Sequence, residues 1–199
     1  METNYPIKVT LKGGKTVELR PLAAQDEQAL IDFFKELPRE DTQFLKDDVK
    51  DPEVVRRFVT ELDLNKVWAI VALDNGKIVG DATLHMSPRG WRRHVGEVRV
   101  VVANAFQKQR LATTLIHELV NQASVRELKR LEAQILDTQI DARKAFERLG
   151  FREEARLKDH AMDLDGNLRG LVILTNTVDD LWRKMDDMIS DMEVGRDGY

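Results

Sequence analysis

The sequence predicts a mixed sheet with helices on its faces, in the α/β to α+β range, and three observations carry that expectation. Apolar/polar alternation recurs in pairs of segments joined by Gly-containing turns: Gly13-Gly14, Asp74-Asn75-Gly76 and Asp165-Gly166-Asn167. A nearly all β-branched run, Val95 to Val102, leads through one short joint into apolar residues four apart, Leu111, Leu115, Leu119 and Ala123. Segments of the two periods are interleaved along the chain rather than gathered in separate blocks.

Ile7 to Lys12 and Thr16 to Arg20 alternate about Gly13-Gly14 and predict an opening hairpin, stopped by Pro21. Ala24 to Leu37 places Ala29, Leu30, Phe33, Phe34 and Leu37 on one helical face before Pro38. Asp41 to Leu64 is acidic and holds a second helix, with Pro52 in its first turn and Val54, Val55, Phe58, Val59 and Leu62 on one side. Val67 to Leu73 and Lys77 to Met86 form the next hairpin, and Val95 to Val102 a central strand buried on both faces for part of its length. Ala103 to Gln109 joins that strand to a helix over Arg110 to Ser124. A strand at Leu131 to Leu136, a helix at Ile140 to Leu149 ended by Gly150, and a hairpin of Phe151 to Leu164 with Leu168 to Thr175 complete the sheet. Val178, Leu181, Trp182, Met185, Met188, Ile189 and Met192 then share a helical stripe, which packs on its own domain or joins two copies as a homodimer. The division expected is residues 1–15 for the first hairpin strand, 16–177 for the main domain, and 178–199 for a terminal helix and tail, frayed from Glu193.

Composition narrows the chemistry. At 199 residues the chain is one domain or a domain with a short appendage, and 35 acidic against 31 basic side chains leave a net charge of −4 that gives no general attraction to nucleic acid or anionic lipid. The absence of cysteine excludes thiol nucleophiles, disulfides, iron–sulfur clusters and cysteine-ligated zinc. Val67 to Leu73 and Leu171 to Val178, the longest charge-free apolar runs, fall far short of the roughly 20 residues that span a bilayer. With no basic start or apolar core in Met1 to Pro6, the expectation is a cytoplasmic protein.

A helix beginning near Lys108 points backbone N–H groups and the positive end of its dipole into the preceding loop, where a pyrophosphate can sit. Alternation puts Glu97, Arg99 and Val101 on one face of the central strand and Val98, Val100 and Val102 on the other. Glu97 and Arg99 can thus form a same-face ion pair, and His85 and His94, which could act near neutral pH, flank the same region. His117 falls in a helix and His160 in the closing hairpin; no two histidines have ligand spacing with a carboxylate, so no metal is expected. Trp91 with Arg89, Arg92 and Arg93 is either a grip for an anionic group or a solvated loop with one anchoring Trp. The acidic run Asp47, Asp48, Asp51 and Glu53 is a solvated helix start or a docking surface for a cation.

The segment Val102-Ala103-Asn104-Ala105-Phe106-Gln107-Lys108-Gln109-Arg110-Leu111-Ala112 resembles the acyl-CoA-binding motif of the GNAT N-acetyltransferase superfamily, Gln/Arg-x-x-Gly-x-Gly/Ala. Thr16 to Leu22 with Asp26, Lys77-Ile78-Val79-Gly80, and Ala142 to Phe151 are similar to that superfamily's opening strand and helix start, third strand, and closing helix with Gly-Phe; in order, the likeness covers residues 16–175. It implies a mostly antiparallel sheet flanked by helices. The implied co-substrate is acetyl-CoA, with the pyrophosphate at Gln107, Lys108, Gln109, Arg110, Leu111 and Ala112. Val100, Val101 and Val102 would lie along the pantetheine arm and thioester, on a strand that splays from its neighbour. Gln139 and Phe146 stand at two further coenzyme-facing positions, and Glu97 is the candidate base.

Arg92 to Glu97 and the closing hairpin lean toward the branch acting on amino acids, polyamines or protein amino termini. Four positions depart from the pattern: Arg110 replaces the first Gly, Phe146 a thiol-protonating tyrosine, Gln139 a common asparagine, and Gly170 a frequent acidic residue. The implied activity is therefore acetyl transfer to a small-molecule or peptide amine, and the rival is a degenerate domain that binds acyl-CoA without catalysis.

Overall fold

The computed structural model describes residues 4–42 and 45–194, without the side chains of residue 40 and residues 188–194. Eight strands form one sheet: β1 (Ile7–Thr10), β2 (Thr16–Pro21), β3 (Val67–Asp74), β4 (Lys77–Met86), β5 (Val95–Val102), β6 (Arg130–Leu136), β7 (Arg152–Met162) and β8 (Leu168–Thr177). Their spatial order is β1-β2-β3-β4-β5-β6-β8-β7, and every neighbouring pair is antiparallel except β5 with β6. The helices are α1 (Glu27–Glu36), α2 (Arg39–Thr42), α3 (Pro52–Thr60), α4 (Leu111–Val125), α5 (Ile140–Arg148) and α6 (Val178–Val194).

Two apolar cores cover the two faces of the sheet, which is why β3 reads as an unbroken apolar run. Trp68, Ile70 and Ala72 pack with Leu111, Leu115, Leu119, Leu131 and Leu181 in the larger core, under α4 and α6. Ala69, Val71 and Leu73 pack with Leu30, Phe34, Val55 and Val59, under α1 and α3.

Local chemistry places most boundaries. Asn75 (φ 50°) and Gly76 (φ 83°) both occupy the left-handed region that a two-residue hairpin turn demands. The expected first helix is shorter than its apolar spacing suggests: Ala24–Asp26 is a 3-10 turn, because the buried Asp26 carboxylate accepts from the Ala23 N–H at 2.9 Å and from both Arg20 terminal nitrogens at 2.6 and 2.7 Å. Those contacts hold its pKa below the ordinary value, the Arg20 hydrogen bond contributing most. Asp51 caps α3 through the Glu53 N–H at 2.9 Å, Pro52 follows, and Asp48 accepts from the Lys50 N–H, so the acidic run serves largely as helix-start chemistry. α2 has no counterpart in the expectations; four residues are too few to show a period. α6 packs on its own domain through the buried Val178, Leu181 and Met185. The side chains of Met188, Ile189 and Met192, and the expected frayed end over residues 195–199, lie outside the described residues.

Candidate functional site

The sheet parts in its middle. β5 and β6 pair only at Val95↔Arg130, Gly96↔Leu131 and Glu97↔Glu132. Beyond that point β5 stays with β4 as far as Gly80↔Val102, while β6 stays with β8 as far as Leu136↔Leu171. Residues 98–102 of β5 therefore present an edge without a strand partner among the described residues. The last shared pair sets two carboxylates side by side, an arrangement that disfavours continued pairing unless each has its own cation. Glu132 has Arg92 at 2.6 Å, and Glu97 has Lys46 at 2.6 Å and Arg99 at 2.8 Å on the same oxygen, Oε1.

Below the free edge the chain makes a 3-10 turn, Asn104–Phe106, anchored by the buried Phe106, and then enters α4. Arg110 is the residue before the helix and holds φ 72°, ψ 4°. The backbone thus keeps the left-handed geometry that glycine favours, and the exposed guanidinium turns outward. Lys108 (φ 59°) is a second left-handed residue in the same loop. The first rung of α4 runs from the Thr114 N–H to the Arg110 carbonyl, so the N–H groups of Leu111, Ala112 and Thr113 precede the ladder. No acidic side chain lies in that first turn. Leu111 is buried and so can offer a ligand only backbone. Gln107 donates to the Val102 carbonyl at 3.3 Å and to Asn104 at 2.8 Å, and Gln109 to the Ala105 carbonyl at 2.7 Å, so both side chains brace the loop itself.

Across the gap, Gln139 accepts from the Leu136 N–H at 2.9 Å and stands before α5. Phe146 is buried edge-on against Phe151, ring centroids 5.2 Å apart. At Gly170 an added Cβ would lie 2.5 Å from the Asp137 Oδ2, so a neighbouring strand end supplies a carboxylate over the position that lacks one of its own.

The face of β5 toward α1 and α3 carries the titratable groups, as alternation predicts: Glu97, Arg99 and Val101 lie here, while Val98 and Val102 lie in the core under α4. Burial pushes the Glu97 carboxyl up, but the Lys46 hydrogen bond and the Arg99 charge outweigh it, and its pKa is lowered. Lys46 Nζ also donates to Gln134 Oε1 at 2.7 Å, so one ammonium bridges β5 and β6 where they part. His85, opposite Glu97 on β4, shares a hydrogen bond with the Thr83 hydroxyl at 3.0 Å. Burial and the Arg99 charge push it down to about 4, so it is neutral near pH 7. Arg99 also reaches Asp47 at 3.2 Å.

Between this face and the loop and helix above it lies a cavity of about 410 Å³. Its deepest carboxylate is one that sequence reasoning missed, Asp81, only 7% exposed, with its pKa raised to about 7 by burial. The available signal was an acidic residue inside Ile78 to Leu84, otherwise apolar or small, where strands disfavour Asp.

Two remaining expectations need correction or placement. Trp91 does not anchor its loop: it is 88% exposed, while Arg92 turns to Glu132 and Arg93 to the Gly90 carbonyl. His94 and His160 are exposed, and His117 stacks on Trp182 at 5.1 Å, far from any cluster. Among the described residues no group of three or more His, Asp or Glu is placed to hold a metal ion, and no helix is long and apolar enough to cross a membrane.

The parted strand pair and the unladdered helix start lie side by side. The model of the acetyltransferase (GNAT) family matches residues 28–151, and the chain belongs to that family. No curated protein matches the sequence significantly. Among solved structures, the GNAT domain of S. lividans PAT superposes with a TM-score of 0.73 at 20% identity, over 88% of this chain and 99% of that one. The ribosomal-protein-S5-alanine acetyltransferase of Vibrio fischeri does so at 0.72 and 16%, over 83% and 94%. A Salmonella typhimurium protein solved with its cofactor acetyl-CoA gives 0.69 and 18%, over 81% and 94%. These likenesses establish the fold.

Proposed function

We propose that this protein transfers an acetyl group from acetyl-CoA to a primary amine. The observation that carries the reading is the free edge of β5 lying beside the unladdered start of α4. The residues fit the coenzyme: the N–H groups of Leu111, Ala112 and Thr113 with Lys108 and Arg110 suit a pyrophosphate, and Val100 to Val102 offer backbone to the pantetheine arm. Bound acetyl-CoA supplies an activated acetyl thioester.

Glu97 takes the proton of the attacking amine. Its carboxylate already holds one primary ammonium, that of Lys46, which marks the place where a substrate amine of the same chemistry exchanges in. Phe146 has no proton to give and is buried against Phe151, so solvent at the cleft provides the acid.

Calorimetry with acetyl-CoA, then thiol release with amino acids, polyamines and peptides, tests the reading. No heat into the millimolar range would sink it; binding with persistent silence across the amines would mean a non-catalytic acyl-CoA binder. Lys46→Met removes one of the two cations on Glu97 Oε1, so the Glu97 pKa rises. The acid limb of kcat/KM against pH is expected to move to higher pH and the acceptor KM to fall; an unmoved limb would remove Glu97 from the proton path. Arg110→Gly keeps the backbone geometry and loses only the cation. Acetyl-CoA affinity is expected to fall about fivefold, or ~1 kcal/mol for an exposed charge contact, with an unchanged melting temperature.

A further inference from the structure

The cavity over the β4–β5 face has apolar walls, formed by Phe34, Val55, Phe58, Leu62 and Val101, and a polar floor on β4 and β5. Most of that floor is already satisfied. The Thr83 hydroxyl is bonded to His85, Arg99 to Glu97 and Asp47, and Lys46 to Glu97 and Gln134. Asp81 differs: it is 7% exposed, and its Oδ1 has no hydrogen-bond partner among the described residues. A buried polar atom left in this state is costly unless a ligand completes it. The volume, about 410 Å³, is within the range of small-molecule sites and exceeds what a bare amine needs.

We propose that the cavity takes an amine with a ring-sized apolar body, and that Asp81 at its floor accepts a hydrogen bond from that molecule's nitrogen. The cavity goes beyond the acetyl-transfer reading: Asp81 pairs with Val101 and Glu97 with His85, four residues further along β4 and β5, so an amine seated on Asp81 is a second bound molecule and not the one that Glu97 deprotonates. The walls select the body by burying its apolar surface. The carboxylate selects a cation over a neutral donor, because an ammonium compensates its buried charge. It also disfavours acidic ligands, since a second carboxylate would stand beside the Asp81 charge while Arg99 on the same floor is already held by Glu97 and Asp47. Long polyamines lack the apolar body and leave the walls unused.

The test is calorimetry at pH 8 on the full chain with benzylamine, against benzyl alcohol as the neutral analogue and spermidine as the cation without a ring. Benzylamine is expected to bind about tenfold more tightly than either. Asp81→Asn is expected to lose about tenfold for benzylamine and to change benzyl alcohol little. Leu62→Trp, at the half-buried cavity wall, is expected to abolish benzylamine binding with Asp81 intact, and it decides the matter if Asp81→Asn does not fold. Equal benzylamine affinity in Asp81→Asn and the parent, a preference for spermidine, or an unaffected Leu62→Trp would each overturn the proposal. Asp81-dependent binding of benzylamine together with silence of thiol release across amino acids, polyamines and peptides would retain this inference and sink acetyl transfer. Thiol release without Asp81-dependent binding of benzylamine would do the reverse.

Discussion

Asp81→Asn is expected to raise the melting temperature by roughly 5–10 °C at pH 8 and to leave it nearly unchanged at pH 4. The Asp81 carboxyl has the usual value of 3.8 when unfolded and about 7 in the folded protein, through burial. Between those values the folded state holds a proton that the unfolded state has released. Stability therefore falls as pH rises from about 4 to about 7, and the loss is complete above that. About three pKa units correspond to about 4 kcal/mol, of which asparagine recovers a part because its amide is also buried. Asp26 and Glu97 act in the opposite sense: their lowered values make them lose stability as pH falls. Since they are common to both proteins, the difference between the two melting curves across pH isolates Asp81. A difference that does not vary with pH would show that folding leaves the Asp81 carboxyl at its ordinary value. The residue that weakens the empty protein is the one that the bound amine repays, a familiar opposition of stability and function.

Gly80→Val is expected to weaken acetyl-CoA binding by more than tenfold and to destabilise the fold by about 1–3 kcal/mol. A Cβ at Gly80 would stand 3.1 Å from Leu115 Cδ1 and 3.4 Å from Leu111 Cδ2. Both leucines are fully buried and have no free volume to retreat into. Valine's two further methyls lift α4 from β4 at the end where its N–H groups start, and displacement of a ligand-binding group by about an ångström is sufficient to cost two orders of magnitude. Calorimetry and thermal unfolding together decide it. A lower melting temperature with unchanged acetyl-CoA affinity would mean that the start of α4 does not hold the coenzyme. Adding Leu115→Ala to Gly80→Val relieves the overlap and should restore part of the affinity.

What the sequence reveals divides along a physical line. Turns were legible because their chemistry is local: Asn75-Gly76 announces a left-handed pair without help from the rest of the chain. The β5-to-α4 joint was legible because it combines a β-branched run with a change of period, and its loop kept glycine's conformation even with arginine in place. The site's electrostatics were not. Lys46 lies 51 residues from Glu97 in the chain and 88 from Gln134, in a loop with no period to read, yet it settles the charge of the candidate base. Asp81 hid because alternation tells which face a residue takes, not whether a partner waits there. Trp91 shows the limit of composition: of its two readings, the anchoring one fails because the ring is exposed.

The parting of β5 from β6 also has a mechanical side. Among the described residues, three strand pairs join the half-sheet β1–β5 to the half-sheet β6–β8. Behind them α4, which packs on β4 and β5, meets α6, which continues from β8, and His117 stacks on Trp182 between these two helices. The two half-sheets are thus held together at two places, by the short β5–β6 pairing in front and by the α4–α6 contact behind.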